Sequence, residues 1–131
     1  MEPLEKFVRP ELEKCREILK SRDVSVQIDF DPEYNQEAEK RLPSLHFRMS
    51  YEDLLSKVYI FEIRDRQFSC SSDDGKKASR GQRGGVFASS SDRIEPRLID
   101  MVIERAINDI MHAKEQQAFR AAYPNARTIA P

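Results

Sequence analysis

The sequence predicts an α+β fold, a two-layer sandwich in which an N-terminal helix and a long C-terminal helix cover an antiparallel sheet of three to five strands. Three observations carry that expectation: apolar residues at helical spacing near the start, strict alternation from Val24 to Phe30, and a wide apolar stripe from Leu98 to Met111. Helices at the two ends with strands between them leave one apolar sheet face for the helices to cover.

The first helix is expected from near Pro3 or Pro10 to Ser21, because Leu12, Cys15, Ile18 and Leu19 recur at helical spacing between charged residues. Pro10 fits its first turn, where no N–H is needed, and Leu4, Phe7 and Val8 lead in as a separate turn or a kinked extension. Val24, Val26, Ile28 and Phe30 then alternate with Ser25, Gln27 and Asp29, the pattern of a strand with one buried face. The charged segment from Asp31 to Pro43 reads as a connector, with 35–42 a loop or a short exposed helix. Leu45, Phe47 and Met49 make a second strand, and Ser50 with Asp53 is placed to cap a turn through Leu54 and Leu55.

Val58 to Ile63 is apolar on both faces at its start, which makes it the candidate central strand. Gln67–Ser71 and Val86–Ser89 read as a hairpin whose long tip holds the glycine-rich segment, with Asp74-Gly75 a dipeptide that tight turns favour. The last helix is expected from Asp92 or Pro96 to about Ala122, with Asp92 and Glu95 as a capping box and Tyr123-Pro124 as its stop. At 1.5 Å per residue it is roughly 40 Å long, more than a small sheet spans, so the polar turns from Lys114 to Arg120 are expected to project past the core or to meet a partner.

With 131 residues the chain reads as one domain, 1–131, with a flexible loop at 73–85 and a short tail at 123–131. Its two cysteines, Cys15 on a helical stripe and Cys70 in a strand, lack metal-type spacing and read as reduced core residues. The start, Met1-Glu2-Pro3-Leu4-Glu5-Lys6, has no basic segment leading into an apolar run, and no stretch approaches the roughly 18 apolar residues of a membrane span. The expected location is therefore cytoplasmic, with no membrane partner.

All four glycines fall between Gly75 and Gly85, beside Lys76, Lys77, Arg80 and Arg83. Elsewhere no residue adopts positive φ cheaply. Glycines let backbone N–H groups point at a phosphate, and Arg and Lys add charge-assisted bonds, so these four cations are the candidate anion- or nucleic-acid-binding residues, with Lys57, Arg64 and Arg66 as neighbours. The spacing matches neither the P-loop nor the dinucleotide fingerprint, and the Arg80–Gly85 run has no interleaved aromatics to stack on bases. Removing the four cations from the net charge of −1 leaves −5 on the rest, so any nucleic-acid contact is confined to the loop.

Catalytic patterns are weak. His46 lies on the polar face of a strand and His112 on the flank of a helix, and neither neighbours a nucleophile in a recognisable motif. Asp29, Asp31 and Glu33 form an acidic corner better read as a solvated turn than as a cation site; no metal and no cofactor are expected. The stripe of the last helix, widened by Ile94 and Met101, exceeds what one sheet face covers, and Phe119 stands alone beyond it. Ile94, Met101 and Phe119 are thus the candidate interface residues. The function expected is non-catalytic binding of another macromolecule, a protein partner or a second copy in a homodimer, in a regulatory or accessory role. The alternative is RNA, DNA or a phosphate ligand held by the loop at 75–85.

Overall fold

The computed structural model describes residues 3–34, 42–73, 84–92 and 94–122, with the backbone alone for 32–34 and 42. A π-helical turn, Leu4–Val8, runs straight into α1 (Arg9–Lys20), whose first turn contains Pro10. Six strands follow: β1 (Val24–Tyr34), β2 (Leu42–Tyr51), β3 (Leu54–Leu55), β4 (Val58–Arg64), β5 (Gln67–Asp73) and β6 (Gly84–Ser90). The chain then enters α2 (Pro96–Ala122). This is an α+β fold with a fully antiparallel sheet in the order β1-β2-β4-β5-β6, and β3 sits beside β2.

Register explains the core. Phe30, Leu45, Phe61, Cys70 and Phe87 lie opposite one another across all five long strands, and Ile28, Phe47 and Tyr59 form the next row. These side chains share one face, because the strand period is two. Leu4, Val8, Leu12 and Cys15 from the N-terminal helical segment and Ile99, Val102, Ala106 and Ile110 from α2 bury against that face. Phe61, Phe68 and Phe87 cluster at its β6 end, with ring centroids 5.1–6.4 Å apart. Strand β4 is central, and Tyr59, Ile60 and Phe61 are all buried, as its two-sided apolar start requires.

The structure departs from the sequence reading in four places. The strand count is six, and the extra member is β3, whose Leu54 and Leu55 pair with Tyr51 and Ser50 instead of forming a capped turn. Asp31–Tyr34 and Leu42–Pro43 extend β1 and β2 into the expected connector; 35–41 lies outside the described residues. The capping box is not formed, because α2 begins at Pro96 and the Glu95 carboxylate accepts from Arg97 Nε at 2.6 Å. Positive φ is also not reserved to glycine. Asp23, Glu52, Asp65 and Arg66 take values of 50–64° at tight turns, and the last two form the two-residue β4–β5 hairpin. Such a left-handed residue costs about 1 kcal/mol or more, offset by the strand pairing on either side.

Between β3 and β4 the partner of β2 carries one residue too many: Arg48 and Met49 face Ser56, Lys57 and Val58. Ser56 closes this bulge. Its N–H donates to the Met49 carbonyl at 2.9 Å, its hydroxyl accepts from the Met49 N–H at 2.9 Å and donates to the Lys57 carbonyl at 2.8 Å. The buried hydroxyl thereby stands in for the ladder bond that the extra residue displaces. The Lys57 N–H, released from the ladder, donates to Asp109 of α2 at 3.1 Å, and the Tyr59 hydroxyl donates to the same oxygen at 2.5 Å. The bulge is therefore where the sheet grips the long helix.

Among the described residues no helix is long and apolar enough to cross a membrane.

Candidate functional site

Two neighbouring stripes run along α2. Ile99, Val102, Ala106 and Ile110 enter the core, while Ile103, Ile107 and Met111, spaced by four, face sideways. On α1 the same split separates buried Leu12 and Cys15 from Ile18 and Leu19. The two sideways stripes face each other across an open groove of about 280 Å³, floored by Cys15 and walled by Ile18, Leu19, Ile103 and Ile107. Ile18 is 67% exposed and Met111 is 56% exposed.

The rim is charged. Glu11 and Lys14 meet in an ion pair of 3.3 Å on the α1 side, and Asp100 stands on the α2 side. Burial and, secondarily, the Asp100 carboxylate push the Cys15 thiol up from its ordinary value. The thiol is neutral at pH 7 and a poor nucleophile, which suits a floor better than a reactive centre. The volume argues in the same direction: enclosed small-molecule pockets occupy roughly 300–1,000 Å³, and this open groove is smaller and lacks convergent polar groups. It fits an inserted apolar side chain.

On the opposite face of the sheet, Asp29, His46, Ile60 and Ser71 form one row and Asp31, Ser44, Glu62 and Ser69 the next. Ser44 Oγ and His46 Nε2 are 2.8 Å apart. A serine, an imidazole and carboxylates thus share one face, yet Ser44 is 0% exposed and its hydroxyl is engaged by the His46 ring. The pair is read as satisfied strand packing. Among the described residues no group of three or more metal-ligating side chains gathers.

Of the candidate residues read from the sequence, those that are described do not come together. Lys76, Lys77, Arg80 and Arg83 lie outside the described residues. Lys57, Arg64 and Arg66 are exposed, the last two at the β4–β5 hairpin. Ile94 packs against the core, Met101 is half-buried, and Phe119, 39% exposed, makes contacts of its own about 27 Å further along the helix. Sequence reasoning missed the groove because helical spacing groups Ile18 with Leu12 and Cys15 in one stripe. The signal was present: α1 carries one apolar residue more than a single row of contacts with a sheet can use.

Comparison with known proteins found no matching family model, no matching curated protein and no matching solved structure.

Proposed function

We propose that the protein is a non-catalytic binding module, a regulatory or accessory factor, that captures another protein by an amphipathic helix laid between α1 and α2. One observation carries this reading: Ile18 leaves two-thirds of its surface in water beside apolar walls that it does not fill. Two helices side by side present ridges and a groove, and a third helix is the element whose apolar side chains match that spacing. Covering Ile18 alone contributes about 1–2 kcal/mol, and Met111 extends the same stripe. With Glu11 already paired to Lys14, Asp100 sets the polarity of the rim, so the partner helix is expected to carry a lysine or arginine beside its apolar anchor.

The test is co-purification from the native host with three baits: wild type, Ile18→Glu and, as a control on the opposite sheet face, Gln27→Glu. The captured protein is expected with wild type and the control and to be lost with Ile18→Glu. It is also expected to slow alkylation of Cys15 by iodoacetamide. Retention by Ile18→Glu, or Cys15 reacting equally fast with and without the partner, overturns the proposal. Because Ile18 is already exposed, the substitution should change stability by no more than about 0.5 kcal/mol.

A further inference from the structure

The two edges of the sheet are unequal. On β1 the Met49 pairing leaves the Val26 carbonyl pointing outward, since the backbone of Met49 is engaged with Ser56 on its other side. Arg16 Nε donates to that carbonyl at 3.2 Å. The same strand contains Pro32, which has no N–H, and the acidic residues Asp29, Asp31 and Glu33, which would oppose a like-charged copy. This edge is guarded in the manner usual for soluble sheets.

Strand β6, Gly84-Gly85-Val86-Phe87-Ala88-Ser89-Ser90, has neither a proline nor a charged residue. Its hydrogen-bond phase follows from the turn beyond it, where the Ser91 N–H donates to the Arg66 carbonyl at 2.9 Å. Counting back by twos, Ser89 and Phe87 bond to β5, and Ala88 and Ser90 direct their N–H and C=O groups to the open side. Phe87, last in the row of core residues, is only partly buried although its ring meets Phe68 at a tilt of 57° with centroids 5.1 Å apart. Among the described residues no strand pairs with this side of β6, and an extended strand is the element that supplies matching N–H and C=O groups.

We infer that β6 pairs antiparallel with β6 of a second copy of this chain, across a two-fold axis near Ala88, to make one continuous sheet. A strand without charge opposes no like charges when it meets itself, whereas self-pairing of β1 would align carboxylates. The pairing satisfies the outward groups of Ala88 and Ser90 and brings two Phe87 rings to the junction of the cores. The contact is independent of the α1–α2 groove, so either site can fail alone.

Sedimentation velocity over a concentration series is expected to show a monomer–dimer equilibrium. Ala88→Pro removes an outward donor without touching the β5 ladder, and it should raise the dissociation constant at least about ten-fold. Ala88→Lys and Ala88→Asp should each be monomeric, and their mixture should form a heterodimer, because the two charges meet across the axis. In hydrogen exchange, Ala88 and Ser90 amides of the wild type should gain protection as concentration rises, while Phe87 and Ser89 stay protected throughout. A monomer at all concentrations, a dimer indifferent to Ala88→Pro, or a Lys and Asp mixture that stays monomeric overturns the inference. Ile18→Glu should leave the dimer unchanged, which separates this outcome from a failure of the groove.

Discussion

The two halves of α2 are built from similar helix-forming residues and meet different fates. From Leu98 to Ile110 the helix places Ile99, Val102, Ala106 and Ile110 in the core, and Asp109 locks onto the sheet bulge through Tyr59 and the Lys57 N–H. From Met111 to Ala122 no residue is buried, and contacts thin to Lys114 over the Tyr51 ring, a Gln116–His112 pair and the half-exposed Phe119. Helix continuity and anchorage are thus separate properties: propensity and i,i+4 pairs extend a helix that packing no longer holds.

The largest break in that comparison is expected in the anchored half. Ile99→Ala should lower unfolding free energy by about 2–5 kcal/mol in urea melts, the cost of a cavity left in the buried core cluster. Asp109→Ala should cost less, about 1–3 kcal/mol, because it leaves the hydroxyl of buried Tyr59 without its acceptor, while the exposed Lys57 N–H returns to water. The same site sets an alkaline limit. Burial first, then Asp109, hold the Tyr59 phenol above its ordinary value of 10.0, so its contribution is whole below pH 10 and is lost as pH rises further. A Tyr59→Phe variant should show a shallower alkaline fall than wild type. The smallest effect belongs to the free half: Phe119→Ala should stay within about 0.5 kcal/mol of wild type. An equal loss from Phe119→Ala and Ile99→Ala would erase the distinction.

Much of the fold was legible. Alternation marked Val24–Phe30 and Leu45–Met49 as strands, and a run apolar on both faces marked β4 as central, where Tyr59, Ile60 and Phe61 are all buried. The two-residue strand β3 was not legible, since its existence depends on Ser56 closing a bulge with its side chain. The Asp65-Arg66 hairpin was hidden too, because neither residue announces positive φ. Of the candidate site, periodicity found the apolar residues but could not divide them. Ile18 and Leu12 look equivalent on α1, yet one is in water and the other has no exposed surface.

By itself, the order of residues determined the element types, the sheet face that turns inward and the point along α2 where apolar density ends. Those are local properties, set by side-chain period and backbone sterics. Only the tertiary structure decided which of two adjacent stripes enters the core, which strand edge Arg16 closes, and that β6 has β5 as its single paired strand among the described residues. The reason is geometric: a helix stripe is wider than one contact row, and an edge is defined by what does not pair with it.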